Sequence, residues 1–526
     1  MFLLLLLVLA ALALGLAYAA LRARHAYWRR RGVPGPECSV PFGNYKDAIL
    51  GRKGMGDIMF DVYQKYRDQR YVGTHFVGTP LLHIHDLEII REVLIREFQD
   101  FNGRAMYSDP DNDMISGQLF LLSGQPWRTL RVKLSPTFTT GKLRFMFTTF
   151  KRCGDQLREH IASEVRAGGG RTVIEIKELL ACLGTDIITS VAFGIEANTL
   201  ANPKSEFRRI PALILDPSIG MGLRILLAFM WPEALKALPT TLFPAEANDF
   251  FLKTVTEVIE YREKHGVERP DMLQLLIKLK NNGFIPPDAP GQVADGKEVG
   301  DKESIADGPV EKQHISIREI AAQCTVFFLA GYETTSSTLT FTLYLLAKHP
   351  EVQDKVVEEM REALDKHGGE IEYDTLLNLP YTDMVLNETM RLYPSVPFLN
   401  REAMRERKLP LTDLVLDKGT RIMIPIRALH MDPKYWDDPE EFKPERFTKD
   451  KMEARHPMVY LPFGDGPRIC IGMRMGLIQM KMTLMTILTR AEVRLPADAP
   501  STIKLSPLTV GPTPIDPLKL VFTERA

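Results

Sequence analysis

Phe463-Gly464-Asp465-Gly466-Pro467-Arg468-Ile469-Cys470-Ile471-Gly472 is the run whose reading decides the fold. Its glycines and proline work against regular structure and enforce an irregular loop. Helical periodicity resumes near Met473, which places Cys470 just before a predicted helix N-terminus. Amide N–H groups and the helix dipole there favour a thiolate over a thiol, and a thiolate is the form that binds a soft metal or iron. No histidine or second cysteine stands nearby, which argues against tetrahedral zinc. The spacing Phe-x-x-Gly-x-Arg-x-Cys-x-Gly should arise by chance on the order of once in ten thousand chains of this length, so a merely structural cysteine is a weak rival.

Three other segments carry chemistry at helical spacing. In a helix predicted over Pro380 to Tyr393, Glu388 and Arg391 lie three apart on one face; alone they would read as a surface ion pair. Trp127 and Arg131 lie four apart, with Pro126 suited to the first turn of their helix. The long helix predicted from Ser316 to Lys348 holds Ala330-Gly331-Tyr332-Glu333-Thr334 in an otherwise apolar setting. There Thr334 can donate to the Ala330 carbonyl, bending the helix and opening a polar notch for dioxygen and water. The rival reading of this segment is a helix contact built from small residues.

Taken together these elements resemble the cytochrome P450 family, over residues 34 to 526 and in the expected order. The resemblance implies haem b as cofactor, with Cys470 as axial thiolate to its iron and Phe463 in the same loop. It makes Glu388-Thr389-Met390-Arg391 the family's ExxR pair and implies a third partner at Arg446, the triad being a folding and register device. Trp127 and Arg131 resemble the WxxxR element that holds a haem propionate, with Arg401 and Arg468 as further propionate partners. The Ala330 to Thr334 segment resembles AGx(D/E)T, in which Thr334 orders the water that delivers protons for dioxygen activation and Glu333 links this relay to solvent. Substrate contacts would come from Phe120, Phe207, Ala330, Val396, Phe398 and Leu508.

The implied activity is insertion of one oxygen atom from O2 into a hydrophobic small molecule, a xenobiotic or a lipid- or steroid-like compound. The run Ala330 to Ser337 and Leu134 to Thr139 look like the animal microsomal branch that handles foreign chemicals, arthropod members above all. Electrons would come from NADPH through a separate cytochrome P450 reductase, with cytochrome b5 as a second donor, since no GxGxxG appears in the chain. Arg128, Lys133, Lys142, Arg144 and Arg474 are candidates to attract an acidic reductase surface, although solubility explains such charges as well. A lipid-peroxide isomerase or dehydratase needing no reductase, and a membrane-held haem sensor, are the alternatives. Glu333 and Thr334 argue against both.

Around these motifs, residues 1 to 20 carry no charged side chain and suffice to cross a hydrocarbon layer of about 30 Å. Ala17-Tyr18-Ala19 also fits a signal-peptide cleavage site. Against cleavage, no basic residue precedes the run, whereas Arg22, Arg24, Arg29, Arg30 and Arg31 follow it; positive charge stays cytosolic. The expected organisation is an anchor at 1–21, a basic and proline-rich linker at 22–36, and one catalytic domain at 37–526 on the cytosolic face of the endoplasmic reticulum membrane. The predicted fold class is mainly α with small β-sheets: the P450 fold, a single haem-binding domain behind a transmembrane helix. Strands are predicted near 70–85 and 412–426, the latter pair turning at Asp417-Lys418-Gly419.

Pro286 to Pro309 reads as a solvated loop. Ile210 to Pro244, apolar but broken by prolines 211, 217, 232, 239 and 244, reads either as buried core or as a segment dipping into the membrane. Lys plus Arg (66) balances Asp plus Glu (67), leaving a net charge of -1 and no field for nucleic acid. Five scattered cysteines without a CxxC pair read as reduced thiols, and Cys182 and Cys324 fall on apolar helical patterns. Asn387-Glu388-Thr389 matches a glycosylation sequon but lies inside a helix of a cytosolic domain, and is read as a chance match.

Overall fold

The computed structural model describes residues 1–215, 218–238, 240–285, 314–500 and 502–525. The predicted loop at Pro286–Pro309 lies outside the described residues, as do Pro217 and Pro239.

The helix Ile317–Lys348 forms the spine. Ser316 and Glu319 close a reciprocal capping box at its start, satisfying two of the amides a helix leaves without partners. It is apolar on all sides over most of its length, so other helices enclose it: Ile176–Ala192, Ala245–His265, Pro380–Leu392 and Met473–Leu488 all pack on it. Its buried hydroxyls are satisfied within the helix, with Thr325, Thr340 and Thr342 donating four residues back at 2.7–2.8 Å. The helix expected around Trp127 and Arg131 appears as Gly124–Leu134, and Thr140–Ala167 and Pro350–Lys366 are further long helices.

Strand Tyr71–Phe76 pairs antiparallel with Thr79–Ile84, as the alternation there predicts. The second predicted pair is different. The turn exists, with Gly419 at φ +84° and the Thr420 amide donating to Asp417 O at 3.0 Å, but the segments it joins do not pair with each other. Val415–Leu416 pairs with Arg407–Lys408, while Arg421–Ile424 runs parallel to Thr79–Ile84 and antiparallel to Leu399–Glu402. Arg421–Ile424 is buried throughout, and burial between two strands of a larger sheet outweighs a local hairpin. A separate three-stranded sheet joins Arg171–Glu175, Lys519–Glu524 and Ala491–Arg494.

Helix Phe2–His25 is long and apolar enough to span a membrane, and residues 1–20 touch nothing else. The stretch expected to link it to the domain is itself packed on the four-stranded sheet. Trp28 is only 2% exposed, donates to Thr74 O at 3.0 Å, and lies so close to Gly73 that any side chain there would collide with its ring. Pro34 O accepts the Gly73 amide at 2.8 Å, and the Tyr27 hydroxyl donates to Asp417 at 2.7 Å. An indole is too large an apolar payload to leave in water when a glycine opens a slot for it, so residues from Tyr27 onward pack against the sheet.

The Ile210–Pro244 stretch forms Glu206–Leu215, Ile219–Met230 and Pro232–Ala237. One side is core, with Ile210, Leu226, Ala228 and Met230 buried, while Leu223, Trp231 and Leu238 are exposed.

Candidate functional site

The Cys470 loop is shaped by its glycines. Gly464 and Gly466 have φ of +72° and +69°, where side chains are strained, and a Cβ on Gly466 would run into the Leu94 carbonyl. The Cys470 amide donates to Phe463 O at 2.9 Å, closing the loop, and Gly472 begins the helix Met473–Leu488. Gly466→Ala is therefore expected to destabilise the fold by about 1–3 kcal/mol and to lower the yield of folded protein, read by thermal melting; an unchanged melt would show that the loop relaxes freely.

Cys470 keeps accessible surface, yet it is deep enough that burial pushes its thiol up. The Gly472 amide and the charges of Arg131 and Arg104 pull the other way without overcoming it. A positive ion in contact with Sγ would favour the thiolate further.

Ala330 and Thr334 are accessible midway along a helix that is otherwise largely buried. The Thr334 hydroxyl donates to Ala330 O at 2.6 Å, the back-bond that the sequence suggested. Gly331 lies against Ile188, where a Cβ would come within 3.1 Å of its side chain. Glu333 is half-buried, with Lys177 Nζ at 4.0 Å. The two elements meet where Thr335 faces Gly476, and Phe138 lies between Gly472 and Phe327.

Four guanidinium groups gather on this side of the molecule: Arg104, Arg131, Arg401 and Arg468, all 8% exposed or less. Arg468 donates to Asn102 O and Leu122 O at 2.7 Å and stacks 4.2 Å over the Trp127 ring. Arg401 donates to Asn400 O at 2.9 Å, and Arg104 reaches Asn400 Oδ1 at 3.5 Å. These acceptors are neutral, and among the described residues Nε of both Arg104 and Arg401 has no partner. Burial and mutual repulsion push Arg468 down to about 7 and Arg104, mainly by burial, down to about 10. Such a cluster is costly unless an anion sits within it, and among the described residues no carboxylate pairs with Arg104, Arg401 or Arg468. Arg104 escaped the sequence reading because Phe101-Asn102-Gly103-Arg104 has no helical spacing to mark it.

The charge triad is assembled and fully buried. Arg391 Nε and Nη2 donate to the two Glu388 oxygens at 2.7 and 2.8 Å, and Arg446 Nε donates to Oε1 at 3.2 Å. Next to it, Asn387 Oδ1 accepts from the Tyr460 hydroxyl at 2.9 Å inside the packed domain, which suits a chance sequon.

The chain matches the family model described as Cytochrome P450 over residues 33–521. It belongs to the cytochrome P450 family. It is 38% identical to "Probable cytochrome P450 6a13" of Drosophila melanogaster, over 90% of this chain and 89% of that one. It is 34% identical to "Cytochrome P450 6k1" of Blattella germanica, covering 93% and 91%, and 34% identical to "Cytochrome P450 6A1" of Musca domestica, covering 96% and 95%. This P450 is therefore an oxidoreductase of the monooxygenase class, and its cofactor is haem. The residues fit that group: a soft thiol on one side, and unneutralised guanidinium groups suited to two propionate carboxylates.

The expected substrate-contact residues are not all brought together. Phe120 is 37% exposed, with the Arg104 guanidinium 4.1 Å from its ring centre. Phe207 is instead packed among Phe193, Phe250 and Phe328, and Phe398 is 2% exposed against Phe229. Val396 is half-buried, and Leu508 lines a narrow apolar cleft with Met55, Leu223 and Val510, away from Cys470.

Proposed function

We propose that this P450 oxidises hydrophobic small molecules, foreign compounds above all, on the cytosolic face of the endoplasmic reticulum membrane, with electrons from NADPH through a separate reductase. The observation that carries the oxygen-inserting reading is the Thr334 hydroxyl, bonded to Ala330 O on the accessible stretch of the long helix. Haem, once bound, supplies the oxidising chemistry. Cys470 would supply the thiolate ligand to the iron, and Arg104, Trp127, Arg131, Arg401 and Arg468 would hold the propionates. Thr334 orders the water that passes protons to dioxygen. Glu333 exchanges protons with solvent from its half-buried position beside Lys177. Rearranging a lipid peroxide would need no such path.

The anchor helix supports membrane attachment, and the insect relatives support the choice of foreign chemicals. Arg128, Lys133, Lys142 and Arg474 remain candidates for meeting an acidic reductase face, with cytochrome b5 as a second donor. Arg144 is less available, because it is held bidentate by Asp374 at 2.6 and 2.7 Å.

The test is reconstitution in vesicles with NADPH-cytochrome P450 reductase and isotopically labelled dioxygen. One labelled oxygen atom in the product, with NADPH consumed, is expected; turnover of a lipid peroxide without NADPH would overturn the reading. In the same assay Thr334→Ala should keep consuming NADPH while product per NADPH falls by about tenfold or more. An unchanged product-to-NADPH ratio would remove Thr334 from the proton path.

A further inference from the structure

Gln323 is fully buried on the long helix, two turns before Ala330. A primary amide in that position is costly unless its oxygen and nitrogen both find partners. Its partners lie outside its own helix. Oε1 accepts the Leu119 amide at 2.9 Å, and Nε2 donates to Gly117 O at 3.3 Å, so one side chain bridges two backbone groups of the loop that carries Phe120.

Helical spacing says where that loop is held. Gln323, Phe327, Ala330 and Thr334 stand at i, i+4, i+7 and i+11, along one face of the helix, and seven residues advance about 10 Å. The loop is tied elsewhere by other groups. Asn248 Oδ1 accepts the Ile115 amide at 2.9 Å, and Arg468 donates to Leu122 O at 2.7 Å. Between these ties the Phe120 amide turns back onto Gln118 Oε1 at 2.7 Å, which projects the Phe120 ring from a tight turn. Gln323 seats that turn on the helix.

We propose that Gln323 is a positioning residue that fixes the Gly117–Phe120 turn on the Ala330–Thr334 face and so limits the size of ligand that reaches it. The inference rests on the reading of that face, above, as the place of oxidation. Gln323→Met keeps length and apolar bulk but loses both bonds. Buried Ile115 and Leu119 still hold the loop against the core, so the expected effect is local.

The experiment uses the full-chain, haem-loaded protein and two probes whose nitrogen binds haem iron and shifts its absorption: imidazole, and a bulky triarylmethyl imidazole. In Gln323→Met, imidazole affinity should stay within about twofold while the bulky probe's affinity changes by about fivefold or more. Backbone hydrogen exchange over Gly117–Leu121 should accelerate about tenfold or more. Unchanged exchange, or equal shifts for both probes, would overturn the proposal. If the methionine variant fails to retain haem, Gln323→Asn, one methylene too short to reach, is read in the same way. Failure of the unaltered protein to respond to imidazole would instead overturn the haem assignment, and the proposal with it, before any variant is made.

Discussion

Cys470→Ser should abolish oxidation, lowering turnover by about a thousandfold or more, which corresponds to about 4 kcal/mol or more of lost stabilisation. The reduced, carbon-monoxide-bound protein should also lose the strongly red-shifted Soret band of thiolate-ligated haem. The substitution changes one atom, and the loop around it is held by groups other than Sγ. The closing bond runs from the Cys470 amide to Phe463 O, and the turn depends on the positive φ of Gly464 and Gly466. Serine therefore leaves the backbone in place and removes the soft donor, its hydroxyl being far harder to ionise than a thiol. The buried arginines and Trp127 are untouched, so residual haem binding through the propionates is expected, with a spectrum no longer typical of sulfur ligation. Retention of both band and turnover would remove Cys470 from the iron and undo the site assignment.

What could be read from the sequence was local chemistry. The Cys470 loop, the long helix starting at Ser316, the Thr334 back-bond and the Glu388–Arg391 spacing all lie within a few residues of chain, where turn residues and helical period decide the outcome. What could not be read depends on partners remote in sequence. The turn at Asp417–Gly419 has local chemistry, yet the strand after it finds its neighbours more than 300 residues earlier, at Leu81–His83, as well as at Leu399–Glu402. Trp28 looked like part of a linker because the glycine that receives it, Gly73, lies on a different element. Arg104 joins the guanidinium cluster from an irregular loop, and only the fold shows it buried with no carboxylate partner among the described residues. Phe207 and Phe398, placed at the substrate by resemblance alone, have ring neighbours remote in sequence, Phe207 beside Phe250 and Phe398 beside Phe229, which no local pattern announces.

Glu388→Gln should prevent accumulation of folded, haem-loaded protein. The carboxylate is fully buried and accepts four hydrogen bonds: from Arg391 Nε and Nη2, from Arg446 Nε, and from the Lys443 amide at 3.0 Å. Glutamine puts an N–H donor where one of those oxygens accepts, facing either a guanidinium or a set of donors, and leaves two buried cations without an anion. Breaking a buried pair in this way costs about 3–5 kcal/mol, a large share of the roughly 5–15 kcal/mol that holds a domain together. Replacing the whole triad with apolar residues, which rescues some buried ion pairs, should fail here. Arg391 also donates to His430 O, Pro439 O and Glu441 O, and Arg446 to Asp438 O, so the two arginines supply hydrogen bonds to the backbone of residues 430–441 that no apolar side chain could replace. The measurement is haem content and urea unfolding for Glu388→Gln beside the triple variant Glu388→Leu, Arg391→Met and Arg446→Met. A single variant within about 1 kcal/mol of the parent would mean the triad is incidental. A stable triple variant would mean that the pair acts as an ion pair alone and that the 430–441 segment finds its hydrogen bonds elsewhere.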